Sequence, residues 1–247
     1  MISSRFFKKF YPDSSKDGTS LFYNWLRTSI RPEFVGLNIG AGPAPNNKIR
    51  SLKGEMQKVI GVDIDDEVLN NEDLDEAFII KDDRLPFADD TFDVAWADFV
   101  FEHVLKPEAF LKEVCRVLKP GAAFFFRTSN KHHYVSIIGR VTPHRFHELV
   151  ANRVRGLSNE AHTPYPTYYR LNSRKDIMKH SKSAGFRKID LRLFEAEPSY
   201  LMFHTIPFLV GVLYERIVNS SISLSQIRAS ILGRLEKDDP PNSIERT

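Results

Sequence analysis

The protein chain has 247 residues, of which 42% are hydrophobic and 27% are charged, and its formal net charge is +3. A chain of this length can bury a full core and fits a single domain, residues 1–247, better than two small ones. No nucleic-acid partner is expected, because phosphate binding needs clustered basic residues and the charge is mild. Cys115 is the single cysteine, which excludes an internal disulfide and predicts an intracellular, cytoplasmic protein.

The N-terminal region, residues 1–33, is predicted to contribute a helix ahead of the first strand. Apolar residues at helical spacing support it: Leu21, Phe22, Trp25 and Leu26. The preceding stretch "MISSRFFKKF" is basic and aromatic and lacks the apolar centre of a secretory signal. We interpret that stretch as a tail or a first helix turn, with a weak surface anchor or a transit segment as alternatives. The longest apolar run, residues 206–214, is about half a membrane span, so no transmembrane helix is predicted.

Strand-like and helix-like segments alternate through the middle of the chain. Six runs are predicted to be strands: residues 34–39, 58–62, 77–80, 92–97, 122–128 and 188–194. Most are apolar at consecutive positions, which is typical of a parallel sheet covered on both faces. Helices are predicted over 107–118 and from Ser173 to Gly185, where Asp176 completes a capping pattern. The alternation predicts an α/β fold with a doubly wound sheet and helices on both faces.

The chain divides into four parts after the N-terminal region. Residues 34–130 are predicted to form a cofactor-binding core, 172–235 the C-terminal part of the fold, and 236–247 a disordered tail. Residues 131–171 break the alternation and are rich in His, Tyr and Arg. Long insertions in compact domains usually serve as lids or binding loops, so this one is predicted to be a lid-like insertion after strand 5.

A tight turn follows the first strand at Gly40-Ala41-Gly42. In doubly wound sheets the ligand lies beyond the carboxyl ends of the strands, and glycines there let the backbone approach it closely. A dinucleotide-binding turn needs glycine where Pro45 stands, which disfavours a nicotinamide oxidoreductase. Asp63 ends the second strand and could accept both hydroxyls of a ribose, with a solvated acidic turn as the alternative.

Residues 82–121, "DDRLPFADDTFDVAWADFVFEHVLKPEAFLKEVCRVLKPG", carry an ordered set of short motifs. These are LPF at 85–87, FD at 92–93, EH at 102–103 and RVLKPG at 116–121. With the glycine turn and "GVDID", the set closely resembles the class I S-adenosylmethionine-dependent methyltransferases, in the type 11 subgroup. The resemblance implies a seven-stranded, mainly parallel sheet in the order 3-2-1-4-5-7-6, with S-adenosyl-L-methionine lying across strands 1, 2 and 4.

The same resemblance implies the cofactor-binding residues. They are Asn38, Gly40, Ala41, Gly42, Asp63, Ile64, Asp82, Asp83, Asp98 and Phe99. The two glycines would face the methionine and ribose, and Asp63 would take the ribose hydroxyls. Either Asp82 or Asp83 would accept from the adenine amino group, and residues 98 and 99 would border the reacting methyl.

This chain departs from the family pattern beside the glycine turn. Asn38 stands where the family commonly has an acidic residue, and Ala44 stands where it has a third glycine. Loss of a charge that would pair with the cofactor's amino group predicts weaker cofactor binding. Pro43 and Pro45 restrict the backbone after the turn, so the first helix is predicted to be stunted.

Methyl transfer from a sulfonium needs an oriented nucleophile and excluded water, and it needs a base only if the nucleophile must lose a proton. The candidate catalytic residues are His103, His132 and His133, and each has a surface or packing role as its alternative. Further histidines of the insertion are His144, His147 and His162. No metal site is predicted, because no cysteine or acidic cluster completes the histidine spacing.

The predicted function is methyl transfer to a small-molecule or lipid-like acceptor, with oxygen slightly favoured as the nucleophile. The basic stretch 131–155 could receive an anionic acceptor or rest on acidic lipid headgroups, which leaves peripheral membrane contact open. The alternative is a binding or regulatory protein that keeps the fold with little or no activity. The sequence predicts no oligomeric state.

Overall fold

The structure of the protein, a computed structural model, describes residues 2–13, 17–141 and 165–239. Seven strands form one sheet, namely β1 Val35–Ile39, β2 Lys58–Asp63, β3 Glu76–Ile79, β4 Phe92–Asp98, β5 Leu118–Ser129, β6 Phe186–Phe194 and β7 Ser230–Lys237. The helices are α1 Ser4–Phe10, α2 Gly18–Arg27, α3 Pro107–Val117, α4 Tyr134–Val141, α5 Arg174–Ser183 and α6 Thr205–Ser220. The strand order is β3-β2-β1-β4-β5-β7-β6, and β7 is antiparallel to both of its neighbours. The predicted fold class and strand order are confirmed.

The sheet is covered on both faces, which explains the consecutive apolar residues in its strands. Phe124 and Phe126 of β5 belong to one buried cluster with residues of α3 and α5. Phe125 points the other way and packs with Phe22 of α2 and with Trp96 of β4. Neighbouring side chains of a strand point to opposite faces, so a strand between two helical layers needs apolar residues at every position.

The seventh strand corrects the predicted start of the disordered tail. Glu236 and Lys237 pair with Ala123 and Phe186 in the sheet, so they belong to β7. The sequence carries only a weak signal for this strand because its apolar residues are few and are interrupted by Gly233 and Arg234. Residues 240–247, the rest of the predicted tail, lie outside the described residues.

The connection from β1 to β2 contains no α-helix. Its single helical element is a short 3-10 turn at Lys48–Arg50, which confirms the prediction of a stunted first helix. The glycine turn therefore has no helix dipole behind it, and any anion bound there must find its donors elsewhere.

Several segments beyond the predicted core meet at the carboxyl edge of the sheet. Ser230 at the start of β7 pairs with Ser129 at the end of β5 and with Phe194 at the end of β6. Residues 195–229, which include α6, therefore leave and rejoin the sheet at that edge, and α4 follows the end of β5 directly. We call α1, α4 and residues 195–229 the cap.

The N-terminal helix α1 packs onto α6. The ring of Phe208 lies 5.6–6.3 Å, between centroids, from four aromatic rings of the N-terminal segment, those of Phe6, Phe7, Phe10 and Tyr11. The first residues of the chain thus form a helix that belongs to the cap. In the part of the chain that the structure describes, no helix is both long and apolar enough to cross a membrane.

Candidate functional site

A cavity of about 460 Å³ opens beside the carboxyl ends of β1, β2 and β4. It collects most of the residues that the sequence predicted for the site, namely Gly40, Asp63, Ile64, Asp82, Asp83, Asp98, Phe99 and His103. Five predicted residues are not in its lining: Asn38, Ala41, Gly42, His132 and His133. Most of the predicted cofactor residues therefore share one site, whereas His103 is the only one of the three catalytic candidates that lines this cavity.

Gly40 is required by the geometry of the turn. Its φ is +70°, and a Cβ there would lie 2.4 Å from Cγ2 of Val100. Because neither the backbone nor the space admits a side chain, β1 can end directly against the segment that follows β4. Gly42 has a φ of +56° and open space around it, so only its backbone conformation favours glycine.

Asp63 connects the end of β2 to the glycine turn. Its Oδ2 accepts a hydrogen bond of 2.8 Å from the Gly42 N–H, and its Oδ1 accepts one of 3.1 Å from the Asp65 N–H. Each carboxylate oxygen retains acceptor capacity for a further donor. The carboxylate is thus held at the cavity wall, and Gly42, which does not line the cavity, supports it from behind through this bond.

The structure distinguishes the two aspartates that follow β3. Oδ2 of Asp83 lies 2.5 Å from Nζ of Lys106, and both side chains are exposed at the cavity rim. Asp82 lines the same cavity and has no ion pair or hydrogen bond with the described residues. Asp82 is therefore the better placed of the two to accept a ligand's hydrogen bond.

Asp98 is held by a buried arginine that the sequence reasoning missed. Arg127 donates from Nε and Nη2 to the two oxygens of Asp98 over 2.6 and 2.7 Å, and only 4% of its side chain is exposed. Its Nη1 donates to Thr19 Oγ1 of α2 over 3.0 Å. A charged residue in the apolar run "AAFFFRTS" was the available signal, because arginine is seldom buried without a partner.

Phe99 follows Asp98 in a strained backbone conformation. Its φ is +60°, its N–H donates to the carbonyl of Arg127 over 2.8 Å, and its ring centroid lies 4.7 Å from the Arg127 guanidinium carbon. The left-handed region costs a residue with a Cβ about 1–2 kcal/mol, and such strain clusters at functional sites. The backbone hydrogen bond and the guanidinium contact hold the Phe99 ring at the cavity wall in spite of this strain.

The two residues of the predicted Glu-His motif lie in different surroundings: Glu102 is buried and His103 faces the cavity. Glu102 is buried, accepts a hydrogen bond of 2.9 Å from Thr128 Oγ1, and has its pKa raised by burial. His103 lines the cavity, and its Nδ1 lies 2.9 Å from the Pro166 carbonyl. Because a carbonyl only accepts a hydrogen bond, Nδ1 is the donor in this contact.

The described end of the insertion forms one wall of the cavity. The Tyr165 hydroxyl donates to Oδ2 of Asp65 over 2.7 Å, and this bond raises the pKa of Tyr165 to about 12. The Tyr168 N–H donates to the Glu102 carbonyl over 2.7 Å. Residues 165–171 are therefore docked against the site, while residues 142–164, with His144, His147 and His162, lie outside the described residues.

The other two candidate histidines sit elsewhere. His132 is exposed, whereas His133 is buried, with its ring centroid 4.1 Å from that of Tyr134. Nε2 of His133 lies 3.2 Å from Oε1 of Glu195, beneath the cap. These contacts favour the packing role for His133. Among the described residues, no three His, Cys, Asp or Glu side chains are grouped so that they could hold a metal ion.

A family model described as "Methyltransferase domain" matches residues 37–126. Residues 37–126 form a methyltransferase domain. The resemblance to the class I methyltransferases is thereby confirmed for the core, and the match ends within β5, before the cap.

Two curated relatives match short parts of this domain. A sterol 4-C-methyltransferase of Caenorhabditis elegans is 35% identical over 63 residues, covering 22% of this chain and 19% of the relative. The human mitochondrial ubiquinone biosynthesis O-methyltransferase is 42% identical over 65 residues, covering 26% of this chain and 16% of the relative. The chain thus spans less than a fifth of the length of either relative.

Solved structures share the whole fold. A chain from a complex of the Haloferax volcanii Trm112 methyltransferase activator has a TM-score of 0.55 and 18% identity, with 93% of this chain and 94% of that chain covered. The 4+2 cyclase SpnF has a TM-score of 0.54 and 17% identity, with coverages of 90% and 80%. A methyltransferase activator complex and a cyclase both appear among these neighbours, so the fold alone does not fix the reaction.

We predict that Arg127→Met lowers the free energy of unfolding by about 3–5 kcal/mol, because the buried Asp98 carboxylate loses its two short charged hydrogen bonds and keeps only Arg50, 3.9 Å away, and the Tyr23 hydroxyl, 3.4 Å away. Arg27→Met is the matched control: its guanidinium pairs with Glu55 at exposed positions, where a pair contributes about 1 kcal/mol or less. Urea unfolding of both variants measures the difference.

Asp98→Asn completes the thermodynamic cycle. Added to Arg127→Met, it should recover part of the lost stability, because the pair then contains no uncompensated charge. Equal losses for Arg127→Met and Arg27→Met, or strict additivity in the cycle, would contradict this account of the ion pair.

Proposed function

We propose that the protein binds S-adenosyl-L-methionine in this cavity and transfers its methyl group to a small-molecule or lipid-like acceptor. The observation that carries the proposal is the Asp63 carboxylate, which ends β2 in the cavity wall and holds the glycine turn by the Gly42 N–H. The methyltransferase domain over residues 37–126 supports it, because this domain contains both elements.

The cavity suggests how the cofactor lies. Asp63 takes the ribose hydroxyls, Asp82 accepts from the adenine amino group, and Ile64, which is 62% exposed, offers apolar contact beside them. Asp98 is paired with Arg127 and only 9% of its side chain is exposed, so Phe99, which is 40% exposed, is the residue that borders the reacting methyl. Asn38, Ala41 and Gly42 lie at or next to the end of β1, behind the methionine portion.

Arg50 is our candidate for the cofactor's carboxylate. It ends the 3-10 turn that replaces the first helix, and its Nη1 lies 3.9 Å from Oδ2 of Asp98. Its side chain is 39% exposed, so it can turn toward a ligand. A guanidinium binds a carboxylate through two parallel hydrogen bonds, which would compensate for the missing helix N-terminus.

The acceptor enters between His103 and the docked segment 165–171. A neutral His103 with a free Nε2 can take a proton from a hydroxyl, which fits the slight preference for oxygen. The two curated relatives are named for a sterol and for ubiquinone biosynthesis, which supports a lipid-like acceptor. An anionic acceptor stays a prediction, because Lys131 is paired with Asp176 and most of the basic stretch lies outside the described residues.

In the proposed mechanism the residues act mainly by position. The bound cofactor supplies an electrophilic methyl on a sulfonium, and the leaving group is a neutral thioether. Phe99 and the wall at Tyr165 and Tyr168 exclude water from the cavity, which leaves the nucleophile poorly solvated. Alignment of nucleophile and methyl provides much of the rate.

A binding or regulatory role without turnover is the second candidate. Asn38 in place of the family's acidic residue and the missing first helix favour it, because both weaken the expected cofactor site. Calorimetry with S-adenosylmethionine and with its demethylated product tests the cofactor binding that the enzyme proposal requires, and radiolabelled methyl transfer then separates turnover from binding alone. No heat with either ligand in a folded sample would overturn the enzyme proposal.

We predict that Asp63→Asn raises the dissociation constant for S-adenosylmethionine roughly tenfold or more, because a charge-assisted hydrogen bond to ribose is lost. Asp66→Asn is the matched control, an exposed aspartate three positions later that does not line the cavity. Titration calorimetry on both variants gives the comparison. Equal constants for Asp63→Asn and the wild type would remove Asp63 from the ribose site.

We predict that His103→Gln slows methyl transfer to a phenolic acceptor by about 10²–10⁴-fold and leaves cofactor affinity within about twofold. Radiolabelled methyl transfer to a panel of phenols identifies one that the wild type turns over, and the variant is then assayed with it. His132→Gln, at an exposed position outside the cavity, should keep the wild-type rate. A wild-type rate in His103→Gln would show that no base acts there.

A further inference from the structure

Helix α6 exposes an apolar stripe. Ile206, Val210, Leu213 and Ile217 are 49–67% exposed, and their spacing of four, three and four residues places them on one helix face. The opposite face is buried and includes Phe208. A surface helix normally presents polar residues to water, so this stripe requires an explanation.

Neighbouring parts of the cap extend the stripe. Tyr134 of α4 packs against Tyr214 of α6, with ring centroids 5.1 Å apart. Four more exposed apolar residues lie in these parts of the cap: Ile137 and Ile138 on α4, Phe203 just before α6 and Ile222 just after it, at 49–89% exposure. We call these four residues and the stripe the apolar cap surface. Single exposed apolar side chains are common, whereas a contiguous set marks an interaction site.

Exposed cations lie on two elements of the cap. Arg216 of α6 is exposed and also pairs with Glu215, and Arg5, Lys8 and Lys9 are exposed on α1, whose aromatic residues pack around Phe208 on the buried face of α6. Residues 198–229 contain one acidic residue, Glu215, which is buried and accepts hydrogen bonds from Tyr11 and Asn219. The cap therefore presents apolar and cationic groups to its surroundings.

We propose that the apolar cap surface binds an anionic lipid bilayer. A helix with an apolar face and neighbouring cations lies in the membrane interface, where apolar side chains enter the acyl boundary and the cations meet acidic headgroups. A second copy of this chain fits less well, because a two-fold contact through the same surface would bring the cations of both copies together.

The location of the surface connects it with the cavity. The cap leaves and rejoins the sheet at its carboxyl edge, and the cavity opens at the same edge. Docking through the cap would therefore place the cavity close to the headgroup region, where a lipid-like acceptor resides. The inference goes beyond the proposed function and holds whether or not the protein transfers methyl groups.

Flotation of the full chain with lipid vesicles tests the proposal. We expect binding to phosphatidylcholine vesicles that contain phosphatidylserine, weaker binding to phosphatidylcholine alone, and loss of binding with added salt. Val210→Ser with Leu213→Gln should reduce partitioning roughly tenfold or more, because two apolar side chains no longer enter the bilayer. Lys8→Gln and Lys9→Gln should each reduce it about fivefold.

Matched substitutions outside the cap provide the controls. Leu69→Gln and Lys182→Gln alter residues that are equally exposed but lie elsewhere on the molecule, so they should keep wild-type binding. No flotation with anionic vesicles, or equal losses in the cap variants and the controls, would overturn the proposal. A dimer in solution that Val210→Ser with Leu213→Gln dissociates would also overturn it, in favour of a second copy.

Discussion

The buried ion pair between Asp98 and Arg127 is the constraint on which the site depends. It joins the ends of β4 and β5, and through Thr19 it ties α2 to the same edge of the sheet. The carbonyl of Arg127 also accepts a hydrogen bond from the N–H of Phe99, and Phe99 has a positive φ at this point of the chain. A fixed end of β4 in turn places Val100 against Gly40, so that two adjacent parallel strands open a cavity between them.

The matched domain and the segments outside it contribute different parts of the site. The domain over residues 37–126 contains the glycine turn, Asp63 and Phe99, which are the parts that we propose bind the cofactor. The cap and the segment 165–171 lie outside the matched residues, at the edge of the sheet where the cavity opens. In our proposal these segments select the acceptor, while the sheet provides the cofactor site.

The family resemblance, which depends on an ordered set of local motifs, implied the sheet order and most of the cavity residues, and the apolar runs predicted the strands themselves. Sequence reasoning missed Arg127, whose role depends on a partner 29 positions away in sequence. It also missed β7 and α6 as elements, because the apolar residues of β7 are interrupted by Gly233 and Arg234 and α6 carries apolar residues on both faces. His132 and His133 show the limit of counting residue types, because His132 is exposed, His133 is buried beside Glu195, and neither lines the cavity.

Hydrogen exchange with and without S-adenosylhomocysteine tests the central claim, which is that one ligand contacts the glycine turn, the end of β2 and the segment after β4 together. The account predicts slower exchange at residues 40–42, 63–65 and 99–103 on ligand binding, and unchanged exchange at β6 and the far ends of the strands. Unchanged exchange at all three stretches in a ligand-saturated sample, or protection confined to another edge of the sheet, would contradict it.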